Sequence, residues 1–150
     1  MVFQERTYAV LIVSAAEKFI STTMTLLPMT DYYPVDTAKS VGQARRALLE
    51  RSYDIVIVNA PLPDDFGMQL AIDVCNDSAA GALLLVKSEL YDDVYARVVE
   101  FGVLTLSKPT SQSGMTQSLR TLCAMRERMR RAEEKQASVE EKIEEIRLVN

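Results

Sequence analysis

Short, nearly unbroken runs of apolar residues constrain the fold of this chain more than any other feature of its sequence. Four of them stand out, at residues 8–13, 54–59, 82–86 and 103–107. A strand that is apolar at almost every position is buried on both faces of its sheet. A weaker fifth candidate, residues 32–36, contains Pro34, which favours an edge position. The sequence therefore predicts five strands in a sheet that is covered on both faces.

Segments with helical spacing of apolar residues separate these strands. The predicted helices cover residues 16–27, 41–50, 68–75 and 92–101. Pro28 ends the first helix, Ser40 supplies an N-cap for the second, and Gly102 ends the fourth. Strands and helices thus alternate along the chain. This order predicts an α/β fold with a doubly wound parallel sheet and right-handed crossovers.

Composition argues against several classes of function. The chain has 150 residues, is 48% hydrophobic and carries a net charge of -4, which suits one soluble domain with a short appendage and gives no general attraction to nucleic acid. It contains no histidine, which removes histidine-based catalysis and histidine metal ligands. Cys75 and Cys123 form neither a disulfide framework nor a CxxC motif, so we expect buried, inert thiols. We predict no enzyme, no metal and no cofactor.

Targeting signals are missing from the sequence. Residues 1–6 contain no charged segment that leads into an apolar stretch, so we predict no signal peptide. The longest apolar run, residues 8–13, falls far short of the ~20 residues that a membrane-spanning helix needs. We therefore expect a cytoplasmic protein without membrane contact.

The ends of the predicted strands are where a functional site is expected, because ligands of parallel α/β sheets bind beyond the carboxyl ends of the strands. The residues that fall there are Ser14, Ala15, Asn59, Lys87, Ser88 and Lys108. The nearby acidic pair Asp64 and Asp65 lies in a proline-flanked loop, which favours surface turn residues over a catalytic pair.

Four segments at the strand ends resemble response-regulator receiver domains, which have a flavodoxin-like fold. The segments are "LIVSAAEKF" after the first strand, "DIVIVNAPLPDDFG" around the third, "LLLVKSE" at the fourth and "LTLSKP" at the fifth. The resemblance covers residues 8–114. It implies a phosphorylation switch, in which two acidic residues hold magnesium and an aspartate at the end of strand three accepts a phosphoryl group.

Residue by residue, the phosphorylation chemistry of the family is missing from this chain. The acidic pair falls on Ser14 and Ala15, and the phosphoryl acceptor falls on Asn59. Magnesium prefers carboxylate oxygens, and an acyl phosphate requires a carboxylate nucleophile. Neither is supplied at these three positions. We therefore interpret residues 1–112 as a pseudo-receiver that is not phosphorylated at this site.

The residues that respond to phosphate in the family are also largely replaced. The hydroxyl position falls on Lys87, or on Ser88 if the alignment shifts by one, and the aromatic position falls on Thr105. The lysine and proline of the family match Lys108 and Pro109, and the family's cis peptide is expected between them. Two alternatives remain for Lys108. It either hydrogen-bonds the Asn59 amide oxygen, with or without help from Lys87, or is an inherited remnant; an unstructured Lys87 is favoured.

A heptad repeat marks residues 113–150 as a separate segment, a long helix that forms a coiled coil. Apolar residues, with one glutamine, alternate at spacings of three and four for nearly four heptads. The seam consists of Leu122, Met125, Met129, Ala132, Gln136, Val139, Ile143 and Ile146. We also expect Leu119 and Leu122 to pack on the receiver unit, as part of its fifth helix.

Charges beside the seam favour a parallel homodimer. Arg128 would face Glu133 of the partner chain, and Lys135 would face Glu140, both attractive pairs. A polar residue such as Gln136 in a seam commonly fixes the register. The alternative is a single amphipathic helix that folds back on its own receiver unit.

A receiver unit followed directly by a coiled coil also resembles the ANTAR-type antitermination regulators, which carry a three-helix RNA-binding unit after the coil. "KIEEIRLVN" at residues 142–150 resembles the lead-in to that unit. The resemblance implies RNA binding only through a domain that is not in this chain. The other hypothesis is an interaction module whose receiver face binds another protein, without nucleic-acid output.

Overall fold

The computed structural model describes residues 6–149. Residues 1–5, which carry most of the segment used to predict the absence of a signal peptide, and Asn150, the last residue of the predicted coil, lie outside the described part.

A five-stranded parallel sheet forms the centre of the molecule. The strands are β1 (Tyr8–Val13), β2 (Tyr32–Ala38), β3 (Ile55–Asn59), β4 (Gly81–Lys87) and β5 (Leu104–Lys108). Their spatial order is β2-β1-β3-β4-β5, and every neighbouring pair is parallel. The predicted architecture is therefore confirmed, including the edge position of the strand that contains Pro34.

Helices cover both faces of this sheet. They are α1 (Glu17–Met24), α2 (Val41–Glu50), α3 (Met68–Asp77), α4 (Tyr91–Val98) and α5 (Gln112–Val149). The predicted caps are present: Ser40 accepts a hydrogen bond from the Gln43 N–H at the start of α2, and Gly102 adopts a φ of 84° after the turn that follows α4. That positive φ suits glycine because it has no Cβ.

Several predicted element boundaries were wrong by a few residues. The first helix ends at Met24 rather than at residue 27, because the Leu26 and Leu27 N–H groups bond to carbonyls three residues back and tighten the chain into a turn. The predicted helix 92–101 divides into α4 and a 3-10 turn, Val99–Phe101.

The edge strand β2 is longer than predicted and contains an irregularity. Tyr8 pairs with Tyr32, yet Val10 pairs with Val35, so β2 has one extra residue between these two pairs. The extra residue falls beside Pro34, which has no N–H to donate to a neighbouring strand. After this bulge, pairing resumes and continues to Ala38.

The core divides into two clusters, one on each face of the sheet. Alternate strand residues on one face pack beneath α2, α3 and α4: Leu11, Val13, Val56, Val58, Leu84 and Val86. Their neighbours on the other face pack beneath α1 and α5: Val10, Ile12, Ile55, Ile57, Leu83 and Leu85. Helix α5 is thus part of the domain core as well as the long C-terminal extension.

The docking point of α5 corrects the predicted coiled-coil seam at its first position. Leu122 is only 2% exposed and belongs to the core cluster beneath α5, as does Leu119. A Cβ placed on Gly81 would lie 2.9 Å from Leu122 Cδ2, so the glycine makes room for this leucine. The expectation that Leu119 and Leu122 pack on the receiver unit is therefore confirmed, and nearly all of the Leu122 side chain is buried within its own chain.

We predict strong coupling between substitutions at Gly81 and Leu122. Leu122→Ala removes buried methyl groups and should lower the free energy of unfolding by about 2–5 kcal/mol. Gly81→Ala should also destabilise the protein, because its methyl group would overlap Leu122. In the Leu122→Ala background the same methyl group enters the vacated space, so Gly81→Ala should be neutral or stabilising there. Urea unfolding of the four proteins measures this cycle, and additive effects would contradict the proposed close contact.

Candidate functional site

The carboxyl ends of β1, β3 and β5 bring three polar side chains together. Ser14 follows β1 and is completely buried, while Asn59 and Lys108 end β3 and β5 and are partly buried. The central position of β3, between β1 and β4, places Asn59 between the other two side chains. Of the six residues predicted at the carboxyl ends of the strands, the structure brings these three together.

A continuous chain of hydrogen bonds joins these side chains. Lys108 Nζ donates to Asn59 Oδ1 at 2.9 Å and to the Ala60 carbonyl at 2.6 Å. Asn59 Nδ2 donates to Ser14 Oγ at 3.0 Å, and Ser14 Oγ also accepts the Ala16 N–H at 3.1 Å. Of the two alternatives considered for Lys108, the structure shows the hydrogen-bonded one. We call Ser14, Asn59 and Lys108 the strand-end network.

The strand-end network has one positive charge and no carboxylate within its hydrogen bonds. Burial, reinforced by the charge of nearby Lys87, lowers the pKa of Lys108 below its ordinary value. Within the described residues, the ammonium donates its hydrogen bonds to two neutral carbonyl oxygens, those of Asn59 and Ala60. Across residues 6–149, no group of three or more His, Cys, Asp or Glu is placed to hold a metal ion. The arrangement can fix one conformation, but it offers no carboxylate nucleophile.

The other predicted site positions stay outside the strand-end network. Ala15, Lys87 and Ser88 are exposed. Ser88 Oγ donates to the neighbouring Glu89 Oε1 at 2.8 Å. The Lys108–Pro109 peptide is cis, as the resemblance implies.

Thr105 occupies the position at which the family has an aromatic ring. Its side chain is 5% exposed, and its Oγ1 makes no hydrogen bond within the described part of the chain. Thr105 pairs in register with Leu84, whose face of the sheet is apolar. A small buried side chain at this point cannot swing between an inward and an outward position as a ring does.

The acidic loop after β3 serves the N-terminus of α2. Asp64 Oδ1 and Oδ2 accept the Val41 and Gly42 N–H groups, each at 2.9 Å. These two backbone hydrogen bonds lower the pKa of Asp64. Asp64 is an exposed loop residue, as predicted. Its partner could not be predicted from a local pattern, because Asp64 and Gly42 are 22 residues apart.

Asp54 is the residue that sequence analysis missed most clearly. Its carboxylate accepts the Ala9 N–H at 2.8 Å, its N–H donates to the Ala9 carbonyl, and its carbonyl accepts the Gly81 N–H. The same carboxylate receives Arg126 Nε at 3.0 Å and lies 3.5 Å from Arg130 Nη2. Asp54 therefore links β1, β4 and α5 at the amino-terminal ends of the strands, which is the end of the sheet opposite the strand-end network.

Further contacts complete this second polar cluster, which we call the Asp54 cluster. Arg130 Nη1 contacts Glu127 Oε2 at 2.9 Å, and the Tyr8 hydroxyl donates to the same oxygen at 3.3 Å. The side chains of Asp54, Arg126 and Arg130 are only 15–17% exposed. Partial burial strengthens these ion pairs relative to pairs on the open surface.

The Asp54 cluster corrects the predicted role of Arg126. The heptad pattern placed this residue on the flank of an intermolecular coil, but the structure uses it to bind α5 to its own domain. A signal was present in the sequence: Arg126 and Arg130 are four residues apart and share a helix face with Leu119 and Leu122. The receiver unit therefore extends along α5 at least to Arg130.

Both cysteines, which we expected to be buried, are partly buried. Burial raises the pKa of each thiol, which disfavours the reactive thiolate. Cys123 Sγ donates a weak hydrogen bond of 3.7 Å to the Tyr32 hydroxyl.

Comparison with known proteins identifies the fold. No protein-family model matches the chain, and no curated protein matches it in sequence. Among solved structures, the receiver domain of an HD domain-containing protein from Pseudomonas fluorescens Pf-5 is 23% identical, with a TM-score of 0.75 over 87% of this chain and 97% of that one. A CheY-like receiver domain from Methylobacillus flagellatus is 22% identical, with a TM-score of 0.66 over 78% and 99%.

A third similar structure, described as an adenylate cyclase from Rhodopirellula baltica, is 17% identical, with a TM-score of 0.76 over 86% of this chain and 96% of that one. The chain thus has the CheY-like receiver fold. In residues 6–149 no helix is both long and apolar enough to cross a membrane.

We predict that Asn59 stabilises the fold through its two side-chain hydrogen bonds. Asn59→Ala would remove one hydrogen bond from Lys108 Nζ and one from Ser14 Oγ, and should lower the free energy of unfolding by about 1–3 kcal/mol. Lys108 would keep only the Ala60 carbonyl, and Ser14 Oγ only the Ala16 N–H. Asn59→Asp keeps an acceptor for Lys108 and adds an opposite charge, so it should be more stable than Asn59→Ala. Chemical unfolding checks both variants. Equal stability of Asn59→Ala and the parent protein would show that the network makes no contribution.

Proposed function

We propose that this chain is a regulatory pseudo-receiver, a receiver-fold module that signals without being phosphorylated. The observation that carries the proposal is the strand-end network, in which Lys108 is hydrogen-bonded to neutral Asn59 and Asn59 to neutral Ser14. A receiver that accepts phosphate needs carboxylates at these positions to hold magnesium and to form the acyl phosphate. On this proposal the chain is not an enzyme, and it resides in the cytoplasm.

The proposal includes a parallel homodimer formed by the outer part of α5. Beyond Arg130 every described residue of this helix, 131–149, is exposed. Its seam side chains Val139, Ile143 and Ile146 are 46–60% exposed. Burying such a side chain against a partner is worth roughly 1.5–3 kcal/mol. An isolated helix with this apolar stripe is stabilised by pairing with a second copy.

The output that we propose is transcription antitermination through RNA. Support comes from the order of a receiver unit and a long helix, and from the resemblance of residues 142–150 to the lead-in of an RNA-binding unit. Any contact with RNA would then be made by a domain outside this chain. The coding sequence after Asn150 tests this directly: a further three-helix unit supports antitermination, and its absence favours the second candidate.

The second candidate is a protein-interaction module without nucleic-acid output. A specific observation favours it: α4 and the 3-10 turns before and after it leave Leu90, Tyr95 and Val99 41–45% exposed, and the Tyr95 ring stacks on Tyr91 at 5.9 Å. Exposed aromatic and aliphatic side chains of this kind are typical of protein contact surfaces.

We predict that phosphodonors do not modify this protein at Asn59. After incubation with acetyl phosphate and magnesium, intact-mass measurement should show no phosphoryl adduct, because an amide is not a carboxylate nucleophile. Asn59→Asp alone should also stay unmodified, since Ser14 and Ala15 still supply no carboxylate for magnesium. A receiver domain with all its acidic residues serves as the positive control, and a phosphoryl adduct on Asn59 would refute the pseudo-receiver proposal.

We also predict a dimer that depends on the outer part of α5 and on its parallel orientation. Ile143→Asp should give a folded monomer in sedimentation experiments at tens of micromolar. Arg128→Glu should weaken the dimer by repelling Glu133 of the partner chain, and Glu133→Arg in the same chain should restore it by reversing both charges. A parent chain that is already monomeric, or a reversal that fails to restore affinity, would argue against this arrangement.

A further inference from the structure

An apolar pocket lies where α5 leaves the receiver unit. It has a volume of about 150 Å³ and is formed between α5, the loop before β4 and the 3-10 turn Val99–Phe101. The side chains that line it include Cys75, Phe101, Leu122, Met125 and Met129. We call it the base pocket.

Several walls of the base pocket are unusually exposed for apolar side chains. Phe101 is 37% exposed, Met125 48% and Met129 46%. Val99, on the same turn as Phe101, is 44% exposed. A group of neighbouring apolar side chains that remains in contact with water is characteristic of an interaction surface.

The base pocket is continuous with the proposed coiled-coil seam. Met125 and Met129 are seam positions, and the seam continues along α5 through Val139 and Ile143 at the same heptad spacing. A second helix that follows this seam toward the receiver unit must arrive at the pocket. The apolar surface that meets it there includes Phe101 of the receiver unit as well as α5 itself.

Charge complementarity identifies the second helix as another copy of this chain in parallel orientation. One row beside the seam is entirely basic and consists of Arg128, Lys135 and Lys142. An antiparallel pair sets this row against itself, whereas a parallel pair sets its first two members against Glu133 and Glu140. The parallel arrangement brings both base pockets to the same end of the dimer.

The Asp54 cluster adjoins the base pocket, because Arg126 belongs to the cluster and also lines the pocket. Arg126 and Arg130 face Asp54, while Met125 and Met129, each one residue earlier, turn toward the pocket. The ion pairs therefore fix the rotation of α5 about its axis. Because the helix cannot turn the two methionines inward, they stay available to a partner.

We propose that the base pocket receives the Met125–Met129 segment of the partner helix, so that the receiver unit itself contributes to the dimer interface through Phe101. This inference rests on the proposed homodimer and extends it from the coil onto the domain. A dimer held by the coil alone would leave Phe101 exposed. In the dimer that we propose, the partner helix covers Phe101.

Phe101→Glu tests the inference in the full chain. The charge would enter an apolar contact, so the dissociation constant measured by sedimentation should rise at least tenfold, which corresponds to ~1.4 kcal/mol. Leu49→Glu is the matched control, because Leu49 is an 88% exposed leucine on α2 outside the base pocket, and it should leave the dissociation constant within twofold. Thermal unfolding confirms that each variant folds.

Met129→Glu is the positive control, because Met129 is exposed and belongs both to the coiled-coil seam and to the base pocket. It should weaken the dimer at least tenfold, whereas only Phe101→Glu separates the base pocket from the coil alone. If Ile143→Asp gives a monomer while Phe101→Glu stays within twofold of the parent, the base pocket is overturned and the coiled-coil dimer stands. A parent chain that is monomeric overturns both.

The thiol of Cys75 gives a second readout of the same pocket. In a Cys123→Ser background, alkylation of Cys75 should be at least fivefold slower in the dimer than in the Ile143→Asp monomer, because the partner helix covers the pocket. Equal alkylation rates in the dimer and the monomer would contradict occupation of the base pocket by the partner.

Discussion

The ion pairs of Asp54 determine how the long helix relates to the rest of the molecule. Backbone groups of Asp54 bond to Ala9 and Gly81, so its position is fixed by the sheet, and its carboxylate then fixes Arg126 and Arg130 on α5. Without these pairs, α5 would be held mainly by apolar contacts around Leu122, which restrain its distance from the sheet more than its rotation. Directional contacts are what turn a packed helix into one with a defined outward face.

The two ends of the parallel strands differ in how their charged side chains are paired, and they also differ in what they hold together. At the carboxyl ends of the strands, the Lys108 ammonium donates hydrogen bonds to the carbonyl oxygens of Asn59 and Ala60, and this network contains no carboxylate. At the opposite end, Asp54 carries full ion pairs to α5. The hydrogen bonds at the carboxyl ends therefore join neighbouring strands, while the ion pairs at the opposite end join the sheet to the C-terminal helix.

Sequence analysis predicted the fold well because its strongest signals are local. The apolar runs at β1, β3 and β4, the proline in β2 and the caps Ser40 and Gly102 each act within a few residues. The Asp54 cluster and the contact of Asp64 with α2 join residues that are far apart in sequence. A local pattern shows at most that Arg126 and Arg130 lie on the inward face of α5, and it does not show that Asp54 is their partner. Leu122 was included in the seam as well as in the core contact of α5, because heptad and helical periods coincide over two or three turns. The absence of a Cβ at Gly81 gives Leu122 the space to pack in the core.

A pseudo-receiver held in one conformation, as we propose, must be regulated by something other than phosphorylation. A ligand shifts an equilibrium only when it binds two states differently, and the strand-end network of the proposed pseudo-receiver offers no phosphoryl group to create a second state. Assembly then becomes the remaining equilibrium, since monomer and dimer differ in whether the apolar seam and Phe101 are covered. Protein concentration, or a partner that competes for those side chains, would set the output by mass action. On this view the active and inactive states of the protein differ in whether the base pocket is occupied by a partner, and no longer in phosphorylation at the strand ends.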